Sequence, residues 1–331
     1  MTTRSESPRQ MRTYRIPKTD LVVSRLALGI GMLGVSWNRS DLVQTTMQAI
    51  RVAYDSGITL FDTADVYAEG QSEEALGRVL KQSPEIRGSI AIQSKCGVRL
   101  RRGWMPSDPV TEDTFGADLS RDHIVSAVEG SLRRLGTERM DLLLLHATSA
   151  LVQPEEVARA FDELSGGGKV SHFGVCMHTA AQIELLQKYV RQPLLVNQIW
   201  LGLAHNWPIA ETSGFGALVD YCRVHDIQVQ AFSPLKGQGL FQRPTLLDPP
   251  ADAPNEVRRL AQALVEIAQR HWATPAAVML AWLLRHPAGV LPIIGASTPD
   301  HIVENCIADR IELERAEWEL LLHLAAPIQN R

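Results

Sequence analysis

Short, almost continuously apolar runs alternate along nearly the whole chain with longer segments whose apolar residues recur at helical spacing. The runs predict strands over 25–28, 58–62, 90–95, 141–146, 172–176, 194–198, 227–232 and 290–294. They lack a polar alternate face, so they read as strands buried on both sides, as in a parallel sheet covered by helices. Between them, 41–56 sets Leu42, Val43, Met47, Ile50, Ala53 and Tyr54 on one stripe, and Gly57 supplies a stop. Further helices are predicted over 72–81, 121–135, 154–164, 179–189 and 216–225. Thr274-Pro275 and Thr298-Pro299 each spell an N-cap followed by proline at the first helical position. A strand–helix unit repeated eight times predicts a single α/β domain, a (β/α)8 TIM barrel over 13–331. An open, doubly wound sheet is the alternative, because strand order is not written in one sequence.

Three stretches break the rhythm. Residues 11–21 precede the first strand and predict a hairpin under the barrel. Residues 98–120 follow the third strand and 235–254 the seventh, as long loops. Long loops inside a compact domain are usually functional, and after strands they lie on the C-terminal rim. Residues 1–12 are polar and predict a disordered tail.

Composition narrows the function. The chain has 331 residues, 45% hydrophobic and 21% charged, with 33 Lys and Arg against 37 Asp and Glu, net −4. That apolar content excludes disorder, and the mild acidity gives no reason to expect nucleic acid or an anionic membrane as partner. No apolar run approaches the roughly 20 residues of a membrane span. The cysteines, Cys96, Cys176, Cys222 and Cys306, show no C-x-x-C spacing. Together with the absence of a signal-like apolar core at the start, they lead us to expect a cytoplasmic protein in a reducing compartment. The histidines show no metal-binding spacing, so no metal is expected.

Four ionisable residues stand at or just past strand ends. ITLFD ends in Asp62, Tyr67 follows in DTADVY, IAIQSK ends in Lys95 and DLLLLH ends in His146. Singly, each has a bland reading as a helix cap, a solvated lysine or a core histidine. Jointly, a barrel brings the ends of strands two, three and four to one mouth. There they suit carbonyl reduction. A phenol is a poor acid near neutrality unless a cation eases loss of its proton, and Lys95 supplies that cation. Asp62 would keep Lys95 charged. His146 would give a second hydrogen bond to the substrate oxygen. None of the four carries hydride, so a nicotinamide cofactor is implied.

FDTADVY, SKCG, LLLLH, GKVSHFGV, VNQ, AFSPL and PIIGAS–EN follow one another from about Leu28 to Asn305. In this order they resemble the aldo-keto reductases, and SRDHI with the loop after SKCG resembles a bacterial oxidoreductase branch of that family. The resemblance implies the barrel, the tetrad Asp62, Tyr67, Lys95 and His146 with Tyr67 as proton donor, and NAD(P)H extended across the rim. It places Gln198 on the nicotinamide amide and Phe232 against its ring. Ser233, Pro234, Leu235, Gly237 and Gly239 would follow the pyrophosphate, with Glu304 and Asn305 at the adenine. Gly31 and Met32 would border the nicotinamide. Cys176 and Met177 stand where the family has Ser-Asn, which removes a carboxamide anchor, since a thioether is a weak acceptor. Gly295, Ala296, Ser297 and His301 stand near the 2′-phosphate site, and the segment lacks Lys and Arg. NADP is placed ahead of NAD on family habit. Trp37, Trp104 and Trp200 are candidate substrate contacts.

Gly29–Gly34 spells G-x-G-x-x-G, but VSWNRS intervenes before the next helix, so a dinucleotide fold is not indicated. A metal hydrolase would want more carboxylates and histidines on strand ends, and Cys176 has no legible His–Asn partner as a nucleophile. The sequence therefore predicts an NAD(P)H-dependent reductase of aldehydes or ketones. The alternatives are an NAD-linked dehydrogenase of a sugar or alcohol, and a cofactor-binding regulatory subunit on the same barrel.

Overall fold

All eight predicted strands form, and they close on themselves. The structure is a computed structural model that describes residues 11–31, 42–100, 115–209, 218–235, 246–295 and 298–329. The expectations for Met32, Trp37, Trp104, Gly237, Gly239, Ala296 and Ser297 concern residues outside these.

The chain opens with an antiparallel hairpin, β1 (Thr13–Arg15) and β2 (Val22–Ser24). Three barrel strands follow, β3 (Ala27–Gly29), β4 (Leu60–Asp62) and β5 (Ala91–Cys96). A second antiparallel pair, β6 (Val98–Leu100) and β7 (Phe115–Ala117), fills part of the stretch expected to be loop. The barrel continues with β8 (Met140–Leu145), β9 (Val170–Cys176), β10 (Leu194–Trp200), β11 (Gln228–Phe232) and β12 (Leu291–Ile294). All eight barrel strands are parallel, and β12 pairs back onto β3 through Ile293 and Ala27.

Two strands start two residues later than the apolar runs suggest. Ile58 donates its amide to Ala53 and so finishes the preceding helix, with Gly57 at φ 92 making the turn. Arg25 points out of the barrel, where its guanidinium donates to the carbonyl of Leu284 and meets Asp309. Helices Asn255–Arg270 and Arg315–Gln329 pack on each other outside the predicted elements; in the first, Leu260, Ala261, Leu264, Ile267 and Ala268 form a buried stripe between charged and polar residues. Both Thr-Pro caps form, with Thr274 accepting from the amide of Ala277 and Thr298 from that of His301.

Met11 and Arg12, expected within the tail over 1–12, are packed; residues 1–10 lie outside the described residues. Met11 is buried, because it packs against Gly57, and the amide of Arg12 donates to Asp309 at 2.9 Å. The hairpin carries Ile16 and Val23 into the lower lumen, where they join Ala27, Leu60, Ala91, Leu142, Leu144 and Leu291 in one apolar cluster. That end of the barrel is closed by side chains. Among the described residues no helix is long and apolar enough to cross a membrane.

Candidate active site

Strand periodicity decides which side chains enter the lumen, since residues two apart share a face. Leu60 leads to Asp62 on β4, Ala91 to Gln93 and Lys95 on β5, and Leu142 and Leu144 to His146 just past β8; the apolar members of each set belong to the lumen cluster. The intervening Phe61, Ile92, Leu143 and Leu145 pack in the outer core under the helices. Asp62, Lys95 and His146 thus rise in register above an apolar floor.

Tyr67 reaches the same place by a different route. The segment after β4 is laced to the strand beside it, with Thr63 N–H donating to Gln93 O at 2.9 Å and Asp65 N–H to Lys95 O at 3.1 Å. Tyr67 then opens a short turn in which Ala68 and Glu69 hold left-handed backbone, φ 49 and 55. Such residues cost about 1–3 kcal/mol each and collect at functional sites. Gly31 leaves the space the ring needs, for a Cβ there would lie 2.6 Å from Tyr67 Cε2.

The structure brings the four expected residues together. Lys95, fully buried, donates to Asp62 Oδ2 at 2.7 Å, to the carbonyl of Thr63 at 2.8 Å and to the Tyr67 hydroxyl at 3.2 Å. An ammonium has three N–H groups, and all three are used. The Tyr67 oxygen and His146 Nε2 stand 3.5 Å apart, with the rings edge to face. Burial pushes the Tyr67 phenol above its ordinary value, against the pull of Lys95. Burial alone would lower the Lys95 ammonium, but Asp62 and then Tyr67 more than offset it, so the charge is held. Burial, helped by Lys95, drives His146 well below the usual imidazole range and keeps it neutral. The site therefore combines a protonated phenol, a fixed cation and a neutral imidazole.

Two functional candidates escaped the sequence reading. Gln93 lies opposite Asp62 in register, and Gln230 lies opposite Gln198. Gln93 Nε2 donates to Asp62 Oδ1 at 2.6 Å and Gln198 Nε2 to the same oxygen at 2.9 Å. Gln230 bonds both of the other amides. The signal is parity: Gln93 lies two residues before Lys95 on the lumen side of β5, and Gln230 is paired in register with Gln198. The nitrogen of Gln198 is taken up by the Asp62 carboxylate, a stronger acceptor than a neutral amide.

The remaining candidates ring the rim. Cys176 is paired in register with Gln198, and Trp200 with Phe232. Burial pushes the Cys176 thiol up to about 12, so it is no nucleophile. Met177 adopts φ 58, and its sulfur accepts from the Trp200 backbone amide at 3.4 Å. Trp200 stacks on His205, with ring centroids 3.7 Å apart. Ser233 holds φ 50 after Phe232, Pro234 is buried and Leu235 packs against the outer core. Gly295 is exposed after β12; on the helix Pro299–Cys306 that follows, His301 and Glu304 are exposed and Asn305 is buried. Among the described residues no group of three or more His, Cys, Asp or Glu side chains is gathered as for a metal ion.

Comparison with known proteins agrees with this fold. A family model described as the aldo/keto reductase family matches residues 25–325. The chain is 34% identical over 300 residues to YcsN of Bacillus subtilis, an uncharacterized oxidoreductase, covering 90% of this chain and 93% of that one. It is 33% identical over 313 residues to 6-dehydroglucose reductase of Agrobacterium fabrum, covering 94% and 97%. An aldo/keto reductase from Klebsiella pneumoniae, solved with NADP and acetate, superposes with a TM-score of 0.73 at 25% identity, over 95% of each chain.

Proposed function

Because this chain belongs to the aldo/keto reductase family and is an NAD(P)H-dependent oxidoreductase, we propose that it reduces an aldehyde or ketone with Tyr67 as the proton donor. The observation that carries the reading is the placement of Lys95 between Asp62 and Tyr67, with all three ammonium protons directed.

The donor set fits a nicotinamide. Phenol, ammonium, imidazole, carboxylate and the free cysteine thiols have no hydride to deliver to a carbonyl carbon, so a separate hydride donor is required. That group, when bound, supplies the hydride. Cys176, Met177 and Phe232 would border its nicotinamide, and the network leaves Gln198 Oε1 to accept from the carboxamide. Ser233 and Leu235 would follow the pyrophosphate, and Glu304 and Asn305 the adenosine. NADP(H) stands ahead of NAD(H), in keeping with the NADP in the Klebsiella relative.

The chain's own residues handle the proton. The carbonyl oxygen would lie between the Tyr67 hydroxyl and His146 Nε2. His146, being neutral, gives that oxygen an N–H without adding a second charge beside Lys95. As negative charge grows on the oxygen, the Tyr67 O–H bond breaks and its proton passes to it. The Lys95 N–H holds the phenolate left behind, and Asp62 keeps the ammonium charged away from water.

Reduction of nitrobenzaldehyde by the wild type and by Tyr67→Phe tests the reading. A loss beyond ~10²-fold is expected, the scale of positioned proton transfer; equal rates would remove Tyr67 from the mechanism. Tryptophan fluorescence titrated with NADPH and with NADH ranks the cofactors. Cofactor affinity without turnover of any carbonyl would favour a binding role over catalysis.

A further inference from the structure

We propose that Gln93 and Gln230 are positioning residues. Gln93, with Gln198, holds one oxygen of Asp62, and Gln230 holds those two amides in place, so that Lys95 keeps its third N–H on Tyr67. The inference rests on the tetrad reading above and extends it below the tetrad.

The network has a single sense. Asp62 and the three glutamines are all buried. A carboxylate paired with an ammonium only accepts, so Gln93 and Gln198 must turn their NH2 groups toward Oδ1. Their remaining N–H groups reach Gln230 Oε1 at 2.8 and 3.2 Å, and Gln230 Nε2 returns to Gln93 Oε1 at 2.9 Å. Reversing any one amide would set oxygen against oxygen or nitrogen against nitrogen, so the charge on Asp62 fixes the orientation of all three. Branched aliphatic residues usually fill a barrel at such a level. Here a polar tier lies directly above the apolar floor.

This tier bears on the longest of the three Lys95 contacts. The bonds to Asp62 Oδ2 and Thr63 O are 2.7 and 2.8 Å, whereas that to Tyr67 is 3.2 Å. With Oδ1 saturated by two amides, the carboxylate has no reason to draw a second ammonium proton. Without them, Oδ1 competes for the N–H that faces Tyr67. The titratable groups around that phenol are Lys95, Asp62, Cys176 and His146, and Lys95 alone is a cation, so the exchange weakens the acid.

Gln93→Met and Gln230→Met keep volume and remove the amides; Gln230 does not touch Asp62. Both are compared with wild type and Tyr67→Phe in nitrobenzaldehyde reduction across neutral and alkaline pH, with circular dichroism reporting folding. We expect kcat to fall ~10-fold or more with little change in KM. The alkaline limb should move upward, because Tyr67 then holds its proton more tightly. A folded variant with wild-type kcat, or with reduced kcat and an unmoved limb, overturns the proposal. Full activity of Tyr67→Phe, or no carbonyl turnover by the wild type, overturns the tetrad reading instead. In those cases, or if neither Met variant folds, side-chain amide exchange in 15N-glutamine-labelled wild type decides. Three NH2 pairs with strong protection are expected, and exchange of all glutamine amides within the dead time overturns the network.

Discussion

Lys95 Nζ lies 3.2 Å from the Tyr67 oxygen and 4.7 Å from the centre of its ring, so the cation approaches the phenol at its hydroxyl end. The same nitrogen holds Asp62, and the two functions separate under mutation. Lys95→Met leaves the Asp62 carboxylate buried without its cation, and the expected loss of stability in urea unfolding is about 3–5 kcal/mol. Adding Asp62→Leu should return part of that stability and none of the reductase activity. Recovery of activity in the double variant would show that the cation is not required for proton transfer.

Gly31→Ala tests the seat of Tyr67. The added Cβ would lie 2.6 and 2.7 Å from two ring carbons, and the ring must move. Misplacement of a reacting group by about 1 Å can cost up to ~10²-fold. We expect kcat to fall at least ~10-fold, while thermal unfolding shows the barrel intact. An unchanged kcat would mean that the ring has room.

Asp65 offers a pH test that needs no substrate. Burial, then repulsion from Glu73, raises its carboxyl from 3.8 to about 7, against the pull of Arg134, the Val66 amide and Lys95. The folded protein therefore retains a proton that the unfolded chain releases, and stability falls as pH rises from 3.8 to about 7. Asp65→Asn cannot ionise. It should exceed wild type in denaturant midpoint above pH 7, with the advantage shrinking on acidification and gone below 3.8. A constant difference across that window would place the effect elsewhere.

Met177 holds left-handed backbone at φ 58 and is 41% exposed. Asparagine tolerates this conformation, and its side chain both donates and accepts. Met177→Asn is expected to gain about 1 kcal/mol of stability and to tighten NADPH binding ~5-fold, the worth of one added hydrogen bond. Fluorescence titration with unchanged affinity would show that position 177 does not meet the carboxamide.

The strands and the tetrad were legible for one physical reason. A strand buried on both faces must be apolar, so an Asp, Lys or His that ends such a run stands out, and closure of the barrel brings the run ends together. Gln93 and Gln230 were missed by the same logic, because an amide inside a strand looks like an interruption until parity places it beside Lys95. Gln198 stands out in VNQ, but its bond to Asp62 does not, since sequence order does not show that Asp62 lies within reach across the lumen. Helix Asn255–Arg270 is harder to see in the sequence because half of its buried face is alanine, set among charged and polar residues. Residues 11–12 were placed in the tail because Met11 stands alone among polar neighbours, and its burial depends on Gly57, far along the chain.

The hairpin that sets Ile16 under the lumen caps an interior already filled by side chains, so the lower end of the barrel offers no route to Tyr67. Whatever reaches Tyr67 and whatever leaves it must share one doorway.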